Sequence, residues 1–156
     1  MKTRAAIPQD LDQVCLLADE IAELHHLHEP EVFVPPDAQR DRAFWLASIE
    51  QEDGTMLVAE RQGRIVGLIT ARMVPTVSAS FLRQRVTSRI GSIVVSRQHR
   101  REGIGTSLIH GIEAWAAARS AVEVRLEVFS FNEEAIRFYA ALGYATRVHT
   151  LCRSLP

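Results

Sequence analysis

Apolar residues recur at three- and four-residue intervals in two stretches near the N-terminus, and this spacing predicts two helices. The first covers residues 10–28, and Asp10 and Gln13 have the spacing of a capping box at its start. Three prolines follow, which cannot lie inside a helix and therefore separate it from the next one. We predict that second helix over residues 38–50, with Asp37 as its N-cap.

The middle of the chain changes to strand patterns. Two apolar runs, residues 56–60 and 64–74, flank a turn that contains glycine, which favours a hairpin. Residues 85–96 are rich in β-branched side chains and predict a third strand. Residues 122–128 alternate strictly between apolar and charged positions, which predicts a strand with one buried face.

Two more helices and a last strand complete the pattern. Residues 97–118 begin with a basic run and continue as an amphipathic helix, and residues 132–144 form a shorter helix closed by Gly143. Residues 146–155 are predicted to form the final strand. The order α-α-β-β-β-α-β-α-β predicts an α/β fold with a mixed, mostly antiparallel central sheet and helices on both faces. With no repeat and no linker, residues 1–156 are expected to form a single domain.

Composition narrows the function classes. The formal net charge is −1, which gives no support to a globally basic nucleic-acid-binding protein. Two cysteines, Cys15 and Cys152, lie far apart, so we expect neither a disulfide framework nor a zinc module. No apolar run is long enough to cross a bilayer and the N-terminus lacks a signal-peptide core, so a cytoplasmic location without membrane partners is expected.

The start of the predicted helix at 97–118 has the features of an anion site. Gly103 and Gly105 lie where helical N–H groups have no partners, and three arginines precede them. A P-loop is excluded because no glycine-lysine pair exists. A dinucleotide fingerprint lacks its third glycine, which is replaced by Leu108, although Glu123 lies about 20 residues after Gly103 as that motif requires.

A third use of such a loop fits better. The segment "VSRQHRREGIGTSLI" resembles the acyl-CoA pyrophosphate motif of the GNAT family of N-acetyltransferases, with Arg100, Gly103 and Gly105 at the motif positions. The segment "NEEAIRFYAALGY" is similar to the signature near the end of such domains, from Asn132 through Tyr139 to Tyr144. Both motifs occur in the family's order and spacing, and the resemblance extends over nearly the whole chain.

The resemblance implies acetyl-CoA as cosubstrate, with no metal. Backbone groups at the end of the strand over 85–96 would bind pantetheine, the amides of the glycine loop would bind pyrophosphate, and Asn132 would contact the pantetheine arm. The implied acyl-CoA contacts are Ile93, Val94, Val95, Arg100, Arg101, Glu102, Gly103, Ile104, Gly105, Thr106, Asn132 and Tyr139.

Two catalytic residues are implied. Tyr139 would protonate the departing thiolate, since a phenol with a pKa near 10 suits that leaving group. The strand over 85–96 lacks the glutamate of histone-type members, so Glu127 is the best candidate for the base that deprotonates the amine. Glu127 could equally be the outer residue of an alternating strand, paired with Arg125 or with a neighbouring strand.

The acceptor side carries less pattern. Glu29, Glu31 and Asp37 could attract a cationic amine, although loop carboxylates are usually solvated and Asp37 is a predicted cap. The histidines in "ELHHLHE" have no partner at metal-ligand spacing. Only a dozen residues follow Tyr144, so a homodimer in which the partner completes the acceptor pocket is a further hypothesis.

The sequence therefore predicts an N-acetyltransferase that moves an acetyl group from acetyl-CoA to a primary amine, on a small molecule or a protein. Transfer would be direct, within a ternary complex, so Cys15 and Cys152 are expected to be structural. The alternatives are a non-catalytic acyl-CoA-binding regulatory module and, less favoured by charge, nucleic-acid binding through the arginine turn.

Overall fold

A five-stranded open sheet organises the chain in a computed structural model that describes residues 1–75 and 80–155. The strands are β1 (Lys2–Ala5), β2 (Gly54–Arg61), β3 (Arg64–Val74), β4 (Thr87–Val95) and β5 (Glu123–Arg125). Their spatial order follows the chain; β1 to β4 pair antiparallel, and β5 pairs parallel to β4. The predicted α/β class with a mixed, mostly antiparallel sheet is confirmed.

Four α-helices cover the two faces of this sheet: α1 (Leu11–His28), α2 (Ala38–Glu50), α3 (Ile104–Ala117) and α4 (Glu133–Ala141). One core joins α1 and α2 to Val58, Leu68 and Val94, and we call this side of the sheet the α1 face. The other core joins α3 and α4 to Ile69 and Ile90, and this side is the α3 face. No helix in the described part of the chain is long and apolar enough to cross a membrane.

The predicted element order is wrong at both ends. A short edge strand, β1, precedes the helices, because Lys2 and Arg4 alternate with small residues in a way that suits an exposed sheet edge. The strand predicted over 146–155 does not form. Its apolar side chains are exposed, with Leu151 92% accessible, and β5 is too short to pair with it.

Of the two helix caps predicted for α1 and α2, one is confirmed and one is wrong. Asp37 caps α2, since its carboxylate accepts hydrogen bonds from the N–H groups of Gln39 and Arg40. Asp10 and Gln13 form no capping box: Asp10 binds Arg4 in a bidentate pair, and Gln13 accepts the N–H of Ile65. These two polar residues therefore tie the start of α1 to the sheet rather than to its own first turn.

Candidate active site

The site begins where β4 and β5 separate. Their ladder runs only from Thr87 opposite Glu123 to Arg89 opposite Arg125, whereas β4 continues alone to Val95. The N–H of Ser96 bonds to β3, so the alternation of a strand turns the N–H and C=O groups of Ile93 and Val95 away from β3, toward the gap. The hydrogen bond from Arg100 Nε to the carbonyl of Val95, at 3.2 Å, fits that direction.

A β-bulge at Gly91 opens this gap. Ser92 pairs with Thr70 and Ile90 with Ala71, which leaves Gly91 as the extra residue of β4. The hydroxyl oxygen of Thr70 accepts the N–H of Ser92 at 3.0 Å and so fixes the bulge. Neither Gly91 nor Thr70 was predicted from the sequence to shape the site, although a glycine inside a β-branched strand is a known sign of a bulge.

The N-terminus of α3 lies at the open end of the gap. Gly103 takes a left-handed conformation, φ 77°, and a Cβ added there would have no heavy atom within 4 Å. Ser107 makes the first helical bond, to the carbonyl of Gly103, so the amides of Ile104 to Thr106 have no partners within the helix. Together with the helix dipole these groups have the geometry that the predicted anion site requires, and the site itself stays a prediction.

The second glycine of the motif has a packing role. A Cβ on Gly105 would lie 3.1 Å from Cζ of Phe138 in α4, closer than side chains normally approach. Gly105 thus lets α3 and α4 meet beside the gap. The sequence had suggested only that it lets a ligand approach the backbone.

Charged neighbours surround the anion site. Glu134 lies 3.6 Å from Arg101 and 4.0 Å from Arg100, and Glu102 pairs with Arg61 of β2. The Arg101 side chain is 88% exposed. The carboxylates leave Arg100 and Arg101 weakly held, so the two arginines can turn toward an incoming phosphate.

Helix α4 places Asn132 and Tyr139 on the α3-face side of the site. Asn132 caps the helix by accepting the N–H of Ala135 at 3.1 Å, which leaves its amide NH₂ free to donate. Tyr139 is buried in the second core, and burial raises the pKa of its hydroxyl to about 12. This phenol therefore keeps its proton throughout the neutral pH range. Its neighbour Tyr144 donates instead to Glu113, at 3.0 Å.

Glu127 lies beyond the end of β5, because the strand predicted over 122–128 is formed only at 123–125. Val124 and Leu126 pack in the second core, so alternation places Glu127 on the α1 face. Its carboxylate pairs with Arg89 at 2.8 Å and its side chain is 80% exposed. The pairing with a neighbouring strand is thus observed, and the role of Glu127 as a base remains a prediction.

An aromatic cluster joins the end of α1 and the segment after it to the loop before α4. Its members are His25, His28, Phe33, Phe129 and Phe131, with the His28 and Phe131 rings stacked at 4.4 Å. The sequence did not predict these contacts for residues 126–132, because the rings come from separate segments that only the fold brings together. Within residues 1–75 and 80–155, no three His, Cys, Asp or Glu side chains are grouped to hold a metal ion.

Comparison with known proteins decides the family. The model of the Acetyltransferase (GNAT) family matches residues 19–144. The chain belongs to this family. An N-alpha-acetyltransferase of Sulfurisphaera tokodaii is 32% identical over 131 residues, which cover 81% of this chain and 73% of the relative.

Solved structures agree with this acetyltransferase fold. A tetramutant of the BH1408 protein from Bacillus halodurans superposes with a TM-score of 0.93 at 27% identity, covering 99% of this chain and 100% of that one. An aminoglycoside N-acetyltransferase in complex with CoA superposes with a TM-score of 0.72 at 13% identity, over 99% of both chains, and shows likeness of fold alone.

The GNAT family uses acetyl-CoA, and the geometry of this acetyltransferase suits that molecule. The open space at Gly103 and the amides of α3 suit a pyrophosphate, and the unpaired edge of β4 suits the amide groups of pantetheine. Glu123, the residue that a dinucleotide fingerprint would use, is instead bound by Arg147, Arg85 and Arg125. The hydrogen bond from Arg147 holds the pKa of the Glu123 carboxyl below its usual range.

Proposed function

We propose that this acetyltransferase transfers the acetyl group directly to a primary amine, within a ternary complex, at the gap between β4 and β5. The observation that carries the proposal is the position of this gap. It runs from the free N-terminus of α3 to the bulge at Gly91, with Glu127 on one face of the sheet and Tyr139 on the other.

The chain's own groups would hold acetyl-CoA, which supplies the acetyl group as a reactive thioester. The amides of Arg101 to Thr106 would bind pyrophosphate, with charge from Arg100 and Arg101. The backbone groups of Ile93 and the N–H of Val95 would pair with pantetheine, helped by the amide of Asn132, and the carbonyl of Val95 would join them once Arg100 turns to the pyrophosphate. An N–H at Ile93 would polarise the thioester carbonyl, a position where preorganised donors have the largest effect.

Tyr139 is proposed as the proton donor for the leaving sulfur. Burial keeps its hydroxyl protonated, with a pKa of about 12, and no described residue accepts a hydrogen bond from it. A thiol has a pKa near 8.5 and is a stronger acid than this phenol, so complete transfer to a free thiolate is unfavourable. The proton would pass to sulfur while the carbon–sulfur bond breaks, and the phenolate would then regain a proton from water.

Glu127 is proposed as the base on the amine side. An amine with a pKa near 10.4 is mostly protonated at neutral pH and must lose a proton before it can attack. The Glu127 carboxylate is exposed on the α1 face, opposite Tyr139, so it can accept that proton directly or through a water. The regulatory-module alternative has lost support, because the relatives that match are named as acetyltransferases.

Steady-state acetyl transfer to a panel of amines tests the proposal with two matched pairs of variants. Tyr139→Phe and Glu127→Gln are each expected to lower kcat by about 10²-fold or more, the usual contribution of a general acid or base. Their controls are Tyr144→Phe, a neighbouring phenol bonded to Glu113, and Glu133→Gln, an exposed glutamate paired with Arg137. The controls should retain activity.

Two further outcomes separate the roles. Glu127→Gln should recover part of its activity as the pH rises, because more of the amine is then already neutral. If Glu127→Gln matches its control at every pH, Glu127 only pairs with Arg89 and the base lies elsewhere. If no amine is acetylated by the unmodified protein, direct transfer to a primary amine is wrong.

A further inference from the structure

Three arginines stand side by side across the α1 face. The register places Arg72 of β3 opposite Arg89 of β4, and Arg89 opposite Arg125 of β5. Arg72 follows Leu68 and Thr70 on the α1 face, and the other two share that face by alternation with Ile90 and Val124. Like charges in directly opposite positions destabilise a sheet, so this row has an unfavourable arrangement in the protein alone.

Carboxylates of the chain neutralise this row only in part. Arg89 pairs with Glu127, and Arg125 lies 3.5 Å from Glu123 and donates to the hydroxyl of Thr87. Arg72 is exposed and has no ion pair with any described residue. Nε of Arg89 is buried and has no acceptor among the described residues. The exposed guanidinium of Arg72, unpaired among the described residues, can therefore bind a carboxylate from outside the chain.

A basic cavity of about 310 Å³ continues from the row toward the start of β4. Four arginines line it, Arg83, Arg85, Arg125 and Arg147, against the single carboxylate of Glu123. That carboxylate already has three of them within 3.5 Å, through Arg147 at 2.7 Å, Arg85 at 3.3 Å and Arg125 at 3.5 Å. Row and cavity therefore form one surface with a strong excess of positive charge, which we call the arginine rim.

The distance from the gap limits what the rim can bind. At ~3.3 Å per residue, Arg89 lies about 10 Å from Ile93 once the bulge is allowed for, and the level of Glu123 lies about 17 Å away. The carboxylate of a free amino acid is only about 3 Å from its amine and could not reach the cavity at the level of Glu123. An extended peptide spans these distances in about three to five residues, so its fourth to sixth residues lie at the level of the rim. A polyamine or another polycation would be repelled.

We infer that the acceptor of this acetyltransferase is the amine of an acidic peptide, with carboxylate side chains about three to five residues from the amine, held by the arginine rim. The inference rests on the proposed function, since the amine must be at the β4–β5 gap. It names the class of substrate that would bind the charged part of the α1 face, which the helices α1 and α2 do not cover.

The test compares peptides of one length that differ only in charge. Glu at positions four to six is replaced by Gln in one peptide and by Lys in another, and a fourth carries its Glu residues at positions nine to eleven. The Glu peptide should exceed the Gln peptide in kcat/KM by about tenfold or more, with the Lys peptide lowest. The preference should shrink in high salt, and the fourth peptide should behave like the Gln peptide.

Rim variants show whether the arginines cause the preference. Arg72→Glu and Arg83→Glu change exposed side chains without an ion pair among the described residues, so folding should be kept. Each should lower kcat/KM for the Glu peptide, raise it for the Lys peptide, and leave the Gln peptide unchanged. The control Arg119→Glu makes the same charge change in the turn just after α3, over the ring of Trp115, and should alter none of the three.

The outcomes distinguish the rim inference from the proposed function on which it rests. Equal acetylation of the Glu, Gln and Lys peptides would overturn the rim inference while the proposed function stands. So would a Glu preference that Arg119→Glu reduces as much as Arg72→Glu does. If no peptide and no other amine is acetylated, the proposed function fails and the inference fails with it.

Discussion

Gly103 offers the sharpest test of the anion site, because the chain contains a matched glycine elsewhere. Gly63 has nearly the same backbone, φ 75° against 77°, and neither glycine has a heavy atom within 4 Å of an added Cβ. Gly63 lies in the turn between β2 and β3, whereas Gly103 begins α3. Replacing each by Glu therefore produces similar backbone strain and similar charge at two different places.

The magnitudes can be worked out for both variants. A left-handed conformation costs an L-residue about 1–2 kcal/mol, and each kcal/mol lowers Tm by ~2–4 °C in a domain of this size. Both variants should therefore lose a few degrees without ligand. Only at Gly103 does the new carboxylate face the pyrophosphate, and two unit charges ~4 Å apart repel by about 4 kcal/mol near a protein surface.

Thermal unfolding with and without acetyl-CoA measures the difference. At 100 times its Kd, a ligand stabilises the folded protein by about 2.7 kcal/mol, and a hundredfold rise in Kd leaves ~0.4 kcal/mol. Gly103→Glu should lose nearly the whole ligand-induced shift, and Gly63→Glu should keep it. If both variants keep the shift, or if both lose it, acetyl-CoA does not bind at the N-terminus of α3 as argued.

Two further predictions concern titrating groups. Burial raises the pKa of Tyr139 to about 12 from an ordinary value of 10, so the folded state holds this proton more tightly. The resulting stabilisation is complete below pH 10 and is lost as the pH rises toward 12, by up to about 3 kcal/mol. Denaturant unfolding of the protein and Tyr139→Phe should diverge in that window, and parallel curves would contradict it. Asp10 is buried, and its hydrogen bond to Arg4 lowers the pKa of its carboxyl, so its contribution is present above pH 4 and is lost as the pH falls further. Asp10→Asn should cost ~2–3 kcal/mol at pH 7 and much less near pH 2, and an equal cost at both pH values would refute the ion pair as its cause.

Local patterns predicted the parts of this fold that depend on local interactions. The helices α1 to α4 and the hairpin of β2 and β3 follow from periodicity, a cap and a turn, and the structure confirms them. Strands at the ends of the chain depend on which neighbour pairs with them, and this cannot be seen in an isolated segment. Residues 146–155 alternate well enough for a strand, but they meet no free edge with which to form a ladder.

The candidate site divides in the same way. The glycine loop and the helix that begins at Glu133 are continuous segments, so their residues could be named in advance. The support of the bulge by Thr70 and the row formed by Arg72, Arg89 and Arg125 depend on register, which brings together residues from separate strands. Each of these arginines, considered alone, is an ordinary polar position on an alternating strand.

The bulge at Gly91 lies between the arginine row and the open edge of β4 that is proposed to bind acetyl-CoA. Because one extra residue reverses the alternation along β4, Ile90 and Ile93 both pack on the α3 face although three positions separate them. Before the bulge, β4 pairs with β5 and carries Arg89 on the α1 face; after it, β4 stays paired with β3 but has no partner on its β5 side, toward which the backbone groups of Ile93 and Val95 point. Without the extra residue, the side chains of β4 on one side of Gly91 would lie on the opposite face of the sheet: either Arg89 would leave the α1 face or Ile93 would leave the α3 face. The same irregularity thus leaves one edge of β4 open and places an arginine row one short peptide length away, so under the proposed function the specificity for donor and for acceptor is expected to depend on this one strand.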